Sequence, residues 1–365
     1  KMNKIKRFSP PNWIKNYREN IWEWFSKVMV DDKPGYIRLC SKGDLLKPTM
    51  DSGLGWTALG LKLCHILNFF DFDKNLKKQL VSRIKSFQVS DGESSGYFED
   101  RALLKKLDKF NLLKLNRTKD FNARRAETRQ AIVSLKCVNE MPMYPLDFMW
   151  KDGSEIVKFI RNLPWSDNPW HSGSHSSHLI VFLKTNYDLK KEKKLLSLIE
   201  LVFKELDKIY NKDIGTWYLG NPPDYQKINS GMKVLTAYDF LDRKIPNPKK
   251  LIDYCLNVII ENGACNLVDL LYVLYIAQKT SSYRKLEIQS LAYRCLDIIK
   301  EHIMEDGGLS YRLEGTQNNY YGAKVSKGLK NIGDLHGTKL YSWSICLISH
   351  LLDWNQKLNF KLPVT

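Results

Sequence analysis

The sequence predicts an all-α protein, a double-layered (α/α)6 toroid, on three observations. Apolar residues recur at helical spacing along almost the whole chain, and no series of alternating apolar and polar segments is long enough to build a sheet. Helical stretches alternate between Lys-rich, solvent-type text and more apolar text with few charges, as in ACNLVDLLYVLYIA at 264–277. Three connections repeat a turn of Asp, Gly and an aromatic: DGESSGYF at 91–98, DIGTWYLG at 213–220 and DGGLSY at 306–311. One unit of outer helix, turn and inner helix is therefore reused, and about six such pairs close into a ring whose inner helices line a cavity.

In chain order, start and stop signals place outer helices at 13–29, 76–88, 153–163, 192–210, 248–261 and 285–304. The inner helices fall at 50–68, 124–138, 174–184, 229–242, 265–278 and 335–352. The whole chain, 1–365, reads as one toroid domain, with 1–45 as a basic, Trp-rich N-terminal helical segment. Trp13, Trp22, Trp24 and Phe25 fit either a packing helix, the more frequent case, or peripheral contact with the inner face of a membrane.

A hydrophobic content of 43% with 12% aromatics over 365 residues excludes a disordered chain and a small disulfide scaffold. The net charge of +17, from 57 Lys plus Arg against 40 Asp plus Glu, predicts an anionic partner. Nucleic acid is disfavoured, because no recognition motif accompanies the charge. The seven cysteines are odd in number and lack C-x-x-C spacing, so they read as reduced core residues, with no metal site or cofactor expected. No apolar run approaches the roughly 18–20 residues that span a bilayer, and the opening lacks the apolar stretch of a secretory signal; the expected location is cytoplasmic.

The text FQVSDGESSGYF at 87–98 resembles the Gln, Asp-Gly and aromatic turn of the α/α-toroid repeats in squalene and terpene cyclases and in protein prenyltransferases. Similar toroids underlie many glycoside hydrolases and polysaccharide lyases. The resemblance implies the architecture over most of the chain, and fold does not imply function.

If the outer-to-inner connections share one end, the N-termini of the inner helices converge on one mouth, whose free N–H groups and partial positive charge suit anions. The second inner helix opens ARRAETRQ, where Arg124, Arg125 and Arg129 are candidate clamps for carboxylate or phosphate and Glu127 a candidate acid; the alternative is an intrahelical Arg–Glu network. The third opens NPWHSGSHSSH. Three of seven histidines, His171, His175 and His178, fall here as acid/base or hydrogen-bonding candidates, with Trp170 placed to stack a sugar ring. His171 and His178 stand about 10 Å apart along a helix, too far to share one metal ion, which leaves a pair of histidines with an outside ligand as the open metal alternative. The fourth carries Lys227 and Lys233, with Asn229 as a plausible N-cap. The fifth places Asn266 and Asp269 in apolar text, where polar groups need partners or a ligand. The approach to the sixth supplies Asn319, Tyr320, Tyr321, Lys324, Lys327, Asp334 and His336, with Asp334 either orienting His336 or capping the helix and Gly337 permitting close backbone approach.

This inventory of Arg, Lys, His, Asn and Tyr suits a polar, anionic substrate better than a hydrocarbon. The expected function is a carbohydrate-active enzyme, a lyase or a hydrolase, working by acid/base catalysis on an anionic glycan or glycoconjugate. Toroidal lyases use Asn, His, Tyr and Arg together, whereas a hydrolase wants two carboxyl groups, for which Glu127, Asp269 and Asp334 are the candidates. The alternatives are a terpene cyclase or prenyltransferase acting on an isoprenoid diphosphate, and a non-catalytic scaffold for an acidic partner. Against the cyclase, the nearest text to its Asp-x-Asp-Asp acid is DFDK at 71–74; against the zinc prenyltransferase, GDLHGT lacks an identifiable partnering Cys.

Overall fold

The computed structural model describes residues 8–111, 118–147, 152–260 and 263–365; the first seven residues of the basic opening lie outside them. Twelve helices form six pairs, odd numbers outer and even numbers inner. They are α1 (Tyr17–Val28) with α2 (Leu54–Ile66), α3 (Leu76–Lys85) with α4 (Thr118–Cys137), and α5 (Gly153–Arg161) with α6 (Pro169–Lys190). The remaining pairs are α7 (Lys194–Asp207) with α8 (Asp224–Phe240), α9 (Pro248–Asn257) with α10 (Ala264–Gln278), and α11 (Lys285–Glu301) with α12 (Leu335–Leu351). Contacts run from α2 to α4, α6, α8, α10 and α12 and back to α2, so the inner helices close a ring. The fold class read from the sequence is the fold observed.

The ring closes because its inner helices are apolar nearly all round: twelve of the thirteen residues of α2 are buried, as are most of α10 and α12. Outer helices bury a single stripe; α1 inserts Trp24 and Phe25, both fully buried, each contributing about 2–3 kcal/mol. Phe25 packs near Gly60 of α2, and the Tyr17 hydroxyl bonds Ser342 of α12 at 2.9 Å. Trp22 packs on Phe69 and Phe72. The aromatics proposed for a membrane surface are thus largely spent on the core. Among the described residues, no helix is long and apolar enough to cross a membrane.

The repeated turns are one structural unit. Each folds back through a short antiparallel bridge, Gln88 with Phe98, Tyr210 with Trp217, and Ile303 with Leu309. Each uses a glycine at positive φ, Gly92, Gly215 or Gly307, and buries Phe98, Trp217 or Leu309 completely. A hydroxyl on the following inner helix then clasps the turn. Thr128 accepts from the Phe98 amide at 3.0 Å, Thr338 accepts from the Leu309 amide at 2.9 Å, and Ser230 donates to the Trp217 carbonyl at 2.5 Å.

Three departures from the sequence reading matter. The stretch 13–29 breaks into Asn12–Lys15 and α1, and an unforeseen helix occupies Arg101–Asn111. Helices α4, α6 and α8 start five or six residues earlier than expected, which moves their polar residues deeper into the ring. A hairpin pairs Asn319–Tyr320 with Ala323–Lys324 through a two-residue turn, Tyr321 and Gly322, both at positive φ. All seven cysteines are free thiols.

Candidate active site

Three of the inner helices show how their starts are fixed. Asn168 caps α6 by accepting from the His171 amide, with Pro169 in its first turn. Asp334 caps α12 through the Gly337 amide at 2.7 Å. Helix α2 has no local cap; Asp100, 46 residues away, accepts from the Leu54 amide at 3.2 Å and from the Gly53 amide at 2.7 Å. The first turns of α6, α10 and α12 bring Trp170, Cys265 and His336 together at one end of the ring, which is the mouth.

Below the mouth lies a cavity of about 350 Å³ to which all six inner helices contribute. Its polar lining includes Lys62, Arg129, Gln130, His178, Lys233, Asp269, His336 and Lys339, with Tyr320 and Tyr321 from the hairpin. A second hollow of about 480 Å³, lined by Tyr225, Asn266, Tyr311 and Arg312, shares Trp170 and Cys265 with it and forms an outer vestibule. The far end is crossed by the segment 359–365: the Lys361 amide donates to the Ile66 carbonyl, the Val364 amide approaches Cys137 Sγ, and Thr365 bonds Tyr272.

Two carboxyl groups serve this cavity. Tyr320 donates to Glu127 Oε1 at 2.5 Å, while Oε2 is buried without a hydrogen-bond partner. Burial pushes Glu127 up to about 8, against the opposing bond from Tyr320. Gly55 leaves the space: a Cβ there would stand 2.9 Å from both Glu127 Oε2 and the Tyr320 hydroxyl. Asp269 is pushed by burial to about 6, moderated by Lys233, whose Nζ lies 3.5 Å from Oδ1 at ion-pair distance but too far for a strong hydrogen bond.

The histidines are neutral. Burial depresses His336 to about 3 and His175 to about 2, and lowers His178 and His171. His171, inside the helix as its spacing required, packs tilted against His175 at 4.0 Å between centroids, and His175 meets His178 edge-on at 5.0 Å. His178 Nε2 meets Ser174 at 3.1 Å. His336 is oriented by Gln317 at 2.9 Å and lies on the Tyr311 ring, not on Asp334.

Several other candidates also sit differently from the expectation. Asp334 is a cap, its two oxygens taken by the Gly337, Tyr311 and Gln317 amides. Gly337 does allow close approach: a Cβ there would fall 2.2 Å from the Tyr311 amide nitrogen. Arg124 pairs with Glu99 at 2.9 Å, so the intrahelical Arg124–Glu127 network does not form. Arg125 donates to Asn122 and lies over Phe159, outside the cavity lining, whereas Arg129 reaches the cavity and Thr236. Lys227 turns to Asn221 and Asp224. Asn229 is no N-cap; α8 starts at Asp224, and the buried Asn229 donates to Asn266 at 3.0 Å. Lys324 and Lys327 are exposed beside the hairpin, while Asn319 and the 38% exposed Tyr321 line the cavity. The sequence reading missed Lys62, Lys339 and Gln317, whose apolar helical or loop text gave no sign of a site.

No family model matches the sequence, and no curated protein matches it significantly. Among solved structures it is similar to the family 76 α-1,6-mannanase from Salegentibacter sp. HEL1_6, at 11% identity over 93% of this chain and 99% of the other, TM-score 0.45. It is also similar to a mutant of the unsaturated glucuronyl hydrolase from Streptococcus agalactiae, at 12% identity over 97% of each chain, TM-score 0.44. A family 88 glycosyl hydrolase from Bacteroides vulgatus matches at 12% identity over 93% of this chain and 99% of the other, TM-score 0.40. At such identities and scores the likeness bears on neither chemistry nor substrate; the closure of the six inner helices carries the fold.

Proposed function

We propose that the protein is a hydrolase-type enzyme that acts on an anionic carbohydrate in the ring cavity. The observation that carries this reading is one acid in the cavity wall, Asp269, and a second, Glu127, bonded behind the lining Tyr320, at a cavity that also holds Lys62, Arg129, Lys233 and Lys339. Burial separates the two acids: with Glu127 near 8 and Asp269 near 6, neutral pH favours a protonated Glu127 and an ionised Asp269. Two carboxyl groups held in different protonation states are what protonation of a leaving oxygen and activation of a water require.

Tyr320 stands between Glu127 and the cavity. As the Tyr320 hydroxyl gives its proton to the leaving oxygen, the protonated Glu127 replaces it across the 2.5 Å contact and is left ionised, to be reprotonated from water. The neutral histidines are too weakly basic to share this work near pH 7; His336 and His178 act as hydrogen-bonding groups that orient the ligand. Trp170, half-buried between cavity and vestibule, offers an apolar face to a sugar ring.

The test is incubation with uronic and phosphorylated oligosaccharides, followed by analysis of product ends. Saturated reducing ends support the reading. Unsaturated ends would show a lyase, and turnover of isoprenoid diphosphates alone would overturn the carbohydrate assignment.

A further inference from the structure

The cationic groups of the cavity exceed its acids. Lys233 faces Asp269, but Lys62, Arg129 and Lys339 have no carboxylate partner among the described residues. Lys62 Nζ has only the Gln130 amide oxygen at 3.3 Å, and Lys339 Nζ lies 4.4 Å from the centre of the Trp343 ring. Arg129 gives one bond to Thr236 and keeps a buried Nε without a partner. Lys62 and Lys339 are each only 3% exposed, and they come from α2 and α12, which are neighbours in the ring. Burial and mutual repulsion push the two lysines of the empty cavity toward their neutral forms, and an anion beside them would draw both back to the cationic form next to Arg129.

Resting on the reading of this cavity as the substrate site, we propose that Lys62, Arg129 and Lys339 bind a phosphoryl group of the substrate, so that the carbohydrate is a phosphorylated one rather than a uronic acid. A uronate brings one negative charge, too little to hold Arg129 and both lysines in their cationic forms. A phosphate monoester near neutral pH brings about 1.5 to 2, together with three acceptor oxygens for donors on three different helices. Arginine supplies the planar fork, and the two lysines supply point charges. The group sits deeper than Trp170 and His336, because Lys62 lies about two turns into α2 and Lys339 just under one turn beyond His336. The sugar then lies toward Tyr320 and Trp170.

The experiment measures thermal shift and calorimetric affinity for inorganic phosphate, pyrophosphate, glucose 1-phosphate and glucuronate, on wild type, Lys62→Met with Lys339→Met, and Lys324→Met. Removing buried charges in favour of apolar groups of similar length does not threaten folding. Stabilisation by the phosphorylated ligands, weaker stabilisation by glucuronate, and at least about a tenfold loss of phosphate affinity in the double variant but not in Lys324→Met is the expected result; tenfold is about 1.4 kcal/mol. Glucuronate binding as tightly as phosphate, absence of phosphate binding, or phosphate binding that survives the double substitution would each overturn the proposal. Hydrolysis of a uronate glycan with no phosphate binding would sink this inference and leave the hydrolase reading standing. Phosphate binding that is lost in the double variant, without hydrolysis of any carbohydrate, would keep the phosphoryl site and sink the hydrolase reading.

Discussion

Tyr320 and Glu127, 193 residues apart, meet in a 2.5 Å hydrogen bond at the mouth side of the ring cavity. The bond exists because the hairpin 319–324 reaches over α2 and because Gly55 has no side chain to keep the two groups apart. If this pair moves the reactive proton, Tyr320→Phe and Glu127→Gln should each lower turnover by about 10²-fold or more while leaving ligand affinity within a few-fold. Gly55→Ala should lower turnover as well, since its Cβ must displace one partner. Steady-state and binding measurements on the three variants check this, and equal losses of affinity and turnover would count against proton transfer.

The raised Glu127 carboxyl also predicts a stability signature. Its folded value near 8 exceeds the ordinary 4.5, so the stability it contributes is fully present below about 4.5 and is lost as the pH rises through 8. Glu127→Gln keeps the neutral form at every pH. The variant should therefore gain on wild type between pH 4.5 and 8, by at most about 1.4 kcal/mol per pH unit. Urea denaturation at pH 5 and pH 8 measures the difference; a difference that does not change with pH would show that Glu127 is ionised in the folded protein throughout.

The toroid was legible because its cause is written locally. Twelve amphipathic or apolar helices and three Asp-Gly-aromatic turns are patterns of neighbouring residues, and they fix six pairs without knowledge of any long-range contact. The site was legible only where polarity was clustered in the chain, as at 170–178 and 319–336. Lys62 sits in LGLKLCHI and Lys339 in HGTKLYSW, each a lone lysine in an apolar helix; nothing in that text distinguishes a snorkelling lysine from one turned into a cavity. The reverse error has the same root. Arg124 and Lys227 stand at the predicted helix starts, but partners from elsewhere, Glu99 for one and Asn221 with Asp224 for the other, take their charge. Helix starts set by remote groups also escaped, since Asp100 does for α2 what no nearby residue does.

The clasping hydroxyls give a purely structural prediction. Thr338 accepts from the Leu309 amide and donates to the Leu309 carbonyl, at 2.9 and 3.0 Å, in fully buried surroundings. Thr338→Val preserves shape and removes both bonds, leaving the buried Leu309 amide unpaired, while the Leu309 carbonyl keeps the Asp334 amide at 3.0 Å. It should destabilise by about 1–3 kcal/mol, as should Thr128→Val at the equivalent place in the second pair. Thr338→Ser should recover most of the loss. Chemical denaturation of the three variants decides whether the repeated turn owes its geometry to these bonds; a neutral Thr338→Val would show that the turn is held by the burial of Leu309 alone.

Lys339 makes anion binding depend on pH in one direction. Burial lowers it to about 7, with repulsion from Lys233 and Arg129 adding to the effect, so above neutrality the empty cavity holds it largely uncharged. An anion beside it stabilises the ammonium form and raises the value. Binding below about pH 7 therefore meets a lysine that is already charged, whereas binding at pH 8 or 9 must take up a proton. The apparent affinity for inorganic phosphate should fall by up to about tenfold per unit of pH above 7, despite the increase in the ligand's own negative charge. Lys62, also lowered, adds to the same trend, and Asp269, ionised above 6, does not change across the window. Calorimetry in two buffers of different ionisation enthalpy reports the proton directly: uptake at pH 8.5 in wild type, reduced in Lys339→Met. Affinity that rises steadily from pH 7 to 9 in wild type would mean that Lys339 is charged throughout and that its burial costs less than its surroundings imply.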